Sequence, residues 1–235
     1  MLWLMKRISI HPILLTILCL ETTVHASSVD WSKFNDSVLL EITRPAGNPI
    51  GNTICTGVIV SQRLILTTAH CVSDATKIRI IFDVENGAIA RQTQLLGPDS
   101  WTQHPKYDPK KSLYEFDLAR IRLKETAPLS PKFIRSIPNA VALAPGRRLQ
   151  RIGVGLRNGI NSRNFTDPKF LSVVGNTSLE TEDSFSASGD SGGPVYTASF
   201  QLIGIHSTRD DRDHKETERG YGPYLPALKK WIFSK

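Results

Sequence analysis

The run Ser188-Gly189-Asp190-Ser191-Gly192-Gly193-Pro194 is the stretch best suited to do chemistry, a serine set between glycines with an acid directly before it. The glycine two places earlier lets the backbone fold so that its own N–H and that of Ser191 point to one spot. Such a pair can hold a developing negative oxygen, an oxyanion hole formed by Gly189 and Ser191. Gly192 and Gly193 carry no Cβ, so a substrate backbone can come close. A short glycine-rich run is also an ordinary turn, and the chemical reading needs partners. A serine hydroxyl is a weak nucleophile without a base, and the base needs an orienting acid. His70 ends the run Leu66-Thr67-Thr68-Ala69 and precedes Cys71; it is the candidate base. Asp117 opens the alternating segment 117–123 and is the candidate acid. Its neighbours are weaker: Asp108 precedes a proline and reads as a turn acid, and Glu115 lies before the strand pattern begins.

The motifs T-A-H-C, D-L-A-x-I-x-L and G-D-S-G-G-P, in that order, resemble the chymotrypsin-like serine proteases of the trypsin family. The resemblance implies two six-stranded antiparallel β-barrels with the site in the cleft between them and a short C-terminal helix. His70 and Asp117 would come from the first barrel and Ser191 from the second, as a triad hydrolysing peptide bonds through an acyl-enzyme. The substrate would be a protein or peptide, with no cofactor. The family's pairing of cysteines matches Cys55 with Cys71, a short loop whose closure contributes ~3 kcal/mol in the chain-entropy estimate. The other disulfides common in the family are absent from the sequence, so the substrate pocket rests on packing.

The residue before the nucleophile, Asp190, is buried in that family and pairs with a new N-terminal amine. No Ile-Val-Gly-Gly-like start exists here; the nearest aliphatic candidate is Val29. Either an amine at or near Val29 pairs with Asp190, or another group does and no zymogen step exists. An unpaired buried charge would be costly.

By position, Phe185 stands on the pocket floor where trypsin-like members carry an acid, which argues against cleavage after Lys or Arg. The strand Leu202-Ile203-Gly204-Ile205-His206-Ser207-Thr208-Arg209 carries a histidine resembling that of the glutamyl endopeptidases and exfoliative toxins. In that branch the histidine and a small hydroxyl residue, here Ser186, hold an acidic side chain. Arg209 would add a fork suited to a carboxylate. Ser186, His206, Ser207 and Arg209 are therefore the candidate substrate-binding residues. Asp190, Gly192 and Gly193 follow the trypsin-like version instead, so the pocket mixes features. The other readings are a catalytically silent homologue that binds a partner, and an esterase on the same scaffold. Intact His70, Asp117, Ser191 and Gly189 argue against silence.

The elements that must position these residues are strands. Runs at 38–42, 53–60, 63–68, 78–84, 91–96 and 118–123, punctuated by Gly, Pro, Asp and Asn, indicate an all-β protein. In the last of these, Ile121 and Leu123 should face inward while Arg120, Arg122 and Lys124 face water. The proline-rich stretch 127–146 reads as a crossover between halves. Strands at 149–154, 171–175, 195–196 and 201–206 follow, then a charged loop at 209–219. Leu225, Leu228, Trp231 and Ile232 have the spacing of a C-terminal helix over 225–233.

With 235 residues, the chain is long enough to bury a sizeable core as one two-lobed domain. Residues 1–26 read as a secretory signal peptide: Lys6 and Arg7, an apolar stretch, then Val24-His25-Ala26. The protease domain is then 27–235, with the first barrel to about 135 and the second from about 145. Export to the extracellular space or periplasm suits a disulfide. No second apolar run would span a bilayer, so stable membrane insertion is not expected after signal removal. The net charge of +7 is not gathered into a basic or aromatic-interleaved stripe, which argues against nucleic acid. No Cys/His cluster has metal spacing, no phosphate loop or heptad occurs, and a monomer is expected. Asn35, Asn164 and Asn176 begin N-x-Ser/Thr sequons.

Overall fold

Apolar runs in the first half build a sheet whose central strands are buried on both faces. The computed structural model describes residues 29–82, 92–110, 114–157, 160–161, 163–182, 186–210 and 219–234, with the backbone alone at 157, 160, 161, 209 and 210. Its first seven strands are β1 (Ser37–Thr43), β2 (Thr53–Ser61), β3 (Leu64–Thr67), β4 (Lys77–Ile81), β5 (Thr93–Leu96), β6 (Trp101–Gln103) and β7 (Ala119–Arg122). They form one curled antiparallel sheet in the order β5-β4-β1-β2-β3-β7-β6. Side chains alternate across a strand, so Val38, Leu40 and Ile42 of β1 enter the core of this lobe with Ile59, Ile65, Ile78, Ile80 and Ile121. Leu39 points the other way, to a cluster with Ile81 and Val154. The three-residue β6 carries too little pattern to be anticipated, and it raises the six strands expected in this half to seven.

After β7 the chain runs without regular structure except a single 3-10 turn at Pro131–Phe133, which fits the proline-rich crossover. The second half contributes β8 (Gln150–Gly153), β9 (Leu156–Arg157), β10 (Ile160–Asn161), β11 (Asn164–Thr166), β12 (Lys169–Val174), β13 (Ser178–Glu182), β14 (Pro194–Tyr196), β15 (Leu202–Ile205), β16 (Thr208–Asp210) and β17 (Arg219–Pro223). Two four-stranded sheets, β11-β8-β14-β15 and β12-β13-β17-β16, carry this lobe, with a small β10-β9 pair. Leu149, Phe170, Leu179, Val195 and Ile203 fill the space between them. The architecture is the chymotrypsin-like two-barrel fold with a short C-terminal helix. Residues 1–26 lie outside the described residues. Among the described residues, no helix is long and apolar enough to cross a membrane.

The lobes are joined by a third cluster: Val58, Leu66 and Leu118 on one side, Ile152, Tyr196, Leu202 and Ile205 on the other. The C-terminal helix α2 (Leu225–Ile232) closes it with Leu225, Leu228 and Ile232. Here the expectation for Arg120 fails: it does not face water but is buried. Its guanidinium lies 4.4 Å from the Trp231 ring centre and donates to the carbonyls of Trp231 and Ser234, each at 2.8 Å. The charge caps the open carbonyls at the end of α2. Arg120→Met is expected to cost about 2 kcal/mol and to lower the thermal midpoint by several degrees; an unchanged midpoint would remove this anchor from the account.

Candidate active site

The cleft residues are gathered from both lobes. Thr68 leads from β3 into a single helical turn, α1 (Ala69–Val72), which carries His70. Such a short turn needs outside partners for its carbonyls. Arg44, buried at the end of β1, supplies them, donating to the carbonyls of Cys71 at 3.1 Å and Ser73 at 3.0 Å. Gln103 of β6 donates to the carbonyl of Ala69 at 2.9 Å. The Cys55–Cys71 disulfide ties the same turn to β2.

Asp117 is fully buried at the entrance to β7. Its Oδ1 accepts the backbone N–H of His70 at 2.8 Å, and its Oδ2 lies 2.6 Å from His70 Nδ1. A carboxylate oxygen accepts, so Nδ1 carries the hydrogen and Nε2 is left as the basic nitrogen. A third donor reaches the carboxylate, the second on Oδ2: the Ser207 hydroxyl, at 2.5 Å. Ser207, a candidate substrate-binding residue, helps through this hydroxyl to fix the acid. Its carbonyl, on the approach to β16, accepts the Ser191 hydroxyl at 3.1 Å. The structure thus unites His70, Asp117, Ser207 and Ser191, with Ser191 Oγ turned onto Ser207.

The loop around Ser191 has its amides divided. The N–H groups of Asp190, Gly192 and Gly193 donate to the carbonyls of Ala187, His206 and Asp190 at 3.0, 2.7 and 2.9 Å. Among the described residues, those of Gly189 and Ser191 have no hydrogen-bond acceptor. The two free donors are the pair expected to face a developing oxyanion. Gly189 and Gly192 have φ of +93° and +88°, which a side chain would strain, and a Cβ on Gly192 would sit 1.9 Å from the Thr56 carbonyl oxygen. Asp190 is buried, and its carboxylate accepts the N–H of Gly155 at 3.0 Å and of Ala187 at 2.9 Å. Gly153 and Gly155 leave room for that carboxylate. Val29 packs against the cluster that contains Phe34 and Tyr196.

Of the remaining candidates, His206 is 5% exposed and is held on both sides by backbone bonds, its N–H to Gly193 and its carbonyl from Gly192, each at 2.7 Å. Ser186 is half-buried, and Arg209 lies on β16 opposite Gly220. Phe185 lies outside the described residues. Unanticipated in the sequence, Glu180 of β13 is buried beside this wall and accepts from Ser172 at 2.6 Å, Arg219 at 2.7 Å and the Tyr221 hydroxyl at 3.2 Å. Burial alone would raise its pKa, but the three hydrogen bonds outweigh it and hold the carboxyl below the ordinary value. Tyr221, cross-strand from Thr208, stacks on Tyr114 with ring centres 4.6 Å apart, three residues before Asp117.

Comparison with known proteins agrees with this architecture. The solved structure of a scabies mite inactivated protease paralogue, S-I1, superposes with a TM-score of 0.68 at 16% identity, covering 87% of this chain and 95% of that one. The structure of GrC superposes with a TM-score of 0.67 at 18% identity, covering 84% and 92%. Curated protein sequences give no match. The model of the Trypsin family matches residues 32–232, nearly the whole described chain with both lobes and the cleft between them; the protein belongs to the trypsin family.

Proposed function

We propose that this protein is an exported serine endopeptidase in which Ser191 is the nucleophile, His70 the general base and acid, and Asp117 the orienting acid. The observation that carries the reading is the pair of unengaged N–H groups on Gly189 and Ser191, with the Ser191 hydroxyl on Ser207, the residue that also meets the buried carboxylate fixing His70 Nδ1. Ser191 Oγ attacks the substrate carbonyl carbon while His70 Nε2 takes its proton. The C–O bond forms, and the carbonyl electron pair moves to an oxygen facing the two amides. His70 then gives the proton to the leaving amine, the C–N bond breaks, and an acyl-serine remains for water to hydrolyse by the reverse sequence. The bond from Ser191 Oγ to the Ser207 carbonyl is exchangeable: a substrate N–H that takes that carbonyl releases the hydroxyl towards His70. Apo sites often tighten in this way only when substrate binds.

The finer part of the proposal is a preference for Glu or Asp at P1, the residue before the scissile bond. Its support is Ser186, His206 and Arg209 on the segments flanking Ser191. Asp190 acts as a structural acid that fixes the loop through Gly155 and Ala187. Export is supported by the disulfide and by the signal-like start of the sequence.

A second reading is a silent homologue that binds a partner through the same cleft, favoured by the resting bond of Ser191 to Ser207. One experiment separates them: digestion of a peptide library by protein starting near Ser27, with Ser191→Ala as control. Cuts after Glu or Asp that vanish in the control are the expected result. Cuts after other residues would remove the acidic pocket and leave the protease. No cleavage by folded protein, with no labelling by a fluorophosphonate, would favour the silent homologue.

A further inference from the structure

Peptide planes next to a glycine flip at little cost, because glycine accepts both signs of φ. The oxyanion loop has glycines at positive φ on both sides of Ser191, at Gly189 and Gly192. Something must hold each plane. The Ser188 carbonyl accepts the Leu156 N–H at 3.0 Å, which turns the Gly189 N–H the opposite way. The Asp190 carbonyl accepts the Gly193 N–H at 2.9 Å, which does the same for the Ser191 N–H. Between them lies the Gly189–Asp190 peptide, and after them the Ser191–Gly192 peptide. Both of these carbonyls are held by one residue of the other lobe.

That residue is Thr56 on β2, fully buried. Its hydroxyl donates to the Gly189 carbonyl at 2.7 Å, and its N–H donates to the Ser191 carbonyl at 2.8 Å. The hydroxyl has a defined direction, because its acceptor side is taken by the Val154 N–H at 2.8 Å. Its own carbonyl accepts the Thr67 hydroxyl at 2.7 Å, so Thr56 is itself fixed from β3. We propose that Thr56 is a positioning residue: its hydroxyl pins the Gly189–Asp190 peptide so that both oxyanion donors stay aimed into the cleft. This rests on the hydrolase reading above and extends it, since it makes the hole depend on a contact across the lobes. Backbone bonds can be made by any residue at position 56, but the bond to Gly189 needs a hydroxyl.

The test uses Thr56→Val, which keeps the shape and removes the oxygen, and Thr56→Ser, which keeps the oxygen. Turnover of a peptide ester and the rate of fluorophosphonate labelling are measured well below the thermal midpoint. Thr56→Val is expected to lose about 10- to 100-fold in kcat and in labelling rate with KM nearly unchanged, the signature of a lost transition-state contact. Thr56→Ser should recover both. If Thr56→Val does not fold, Thr56→Ala takes its place with the same expectation. Hydrogen exchange of the 188–193 backbone is followed in parallel and should speed up in Thr56→Val alone. A Val variant with wild-type turnover and exchange, or a Ser variant as impaired as Val, overturns the proposal. The exchange readout works even in a protein that never turns over, so failure of the hydrolase reading would be seen in the wild type and kept apart from failure of the tether.

Discussion

Asp117→Asn is expected to cut turnover about 10⁴-fold while leaving the fold intact. The size follows from how completely the carboxylate is used. Oδ1 accepts one N–H, from the His70 backbone, and Oδ2 accepts two donors, His70 Nδ1–H and the Ser207 hydroxyl. An asparagine has one accepting oxygen and one donating nitrogen. With its oxygen towards the backbone, its NH₂ faces His70 Nδ1, so the imidazole must present a bare Nδ1 and carry its hydrogen on Nε2. Nε2 can then no longer take the Ser191 proton. With the amide reversed, two N–H groups oppose each other at the His70 backbone, in a site with no access for water. The first orientation removes the base and the second sets a repulsive N–H pair in the interior, so the first prevails and kcat should fall with little change in KM or in thermal midpoint. The measurement is kcat and KM on a peptide ester, beside a melting curve. Turnover within tenfold of wild type would show that Asp117 does not set the tautomer. Ser207→Ala removes only one of the three donors, so its expected loss is smaller, about tenfold.

The difference between what was legible in the sequence and what was not follows chain distance. His70, Asp117 and Ser191 sit in short segments whose neighbours are constrained locally, so each can be singled out from its own flank. Their supports are remote: Ser207 reaches Asp117 across 90 residues, Thr56 reaches Gly189 across 133, and Arg44 reaches Cys71 across 27. Nothing local marks a threonine in β2 as different from its neighbours. The strands tell the same story. β7 is apolar on alternate positions and β1, β2 and β3 carry short apolar runs, so all four are readable to within about two residues. β13 is Ser-Leu-Glu-Thr-Glu, and its buried Glu180 is acceptable only because Arg219, Tyr221 and Ser172 meet it. β17 contains Gly220 and Gly222 and has no apolar pattern to mark it as a strand. A Cβ on Gly222 would lie 1.7 Å from the Ile205 carbonyl oxygen, so the glycine there serves close strand packing. Alternation alone puts Arg120 at the surface, because it cannot foresee that α2 covers that face.

Two buried titratable groups outside the cleft predict opposite responses of stability to pH, and single substitutions should separate them. Asp36 is fully buried, and neither carboxylate oxygen makes a hydrogen bond of ordinary length among the described residues. Arg163 and Arg135 lie near it but are committed to its neighbours, Arg163 to Asn35 and Ser37, Arg135 to Lys33. Burial pushes the Asp36 pKa from 3.8 up to about 7, with Tyr196, Arg135 and Arg163 opposing it. Between those values the folded chain holds a proton that the unfolded chain has released. Stability therefore falls as pH rises from about 4 to 7, by about 4 kcal/mol in all, and is flat above. His104 behaves in the reverse sense. Its ring is wedged between Phe116 and Trp231, with centres at 4.9 and 4.7 Å. Burial, then Lys106 and Arg120, lower its pKa from 6.5 to about 4. There the unfolded chain takes up the proton first, so stability is full above 6.5 and falls as pH drops towards 4. Over the shared window the two slopes oppose each other in the wild type. Asp36→Asn should remove the alkaline loss, so that its stability relative to wild type rises steadily from pH 4 to 7. His104→Gln should do the opposite, gaining on wild type as pH falls below 6.5. Urea unfolding midpoints from pH 4 to 8 read both differences. A difference curve for Asp36→Asn that is flat with pH would mean that Asp36 is ionised in the folded protein, and that the guanidiniums of Arg135 and Arg163 neutralise it after all.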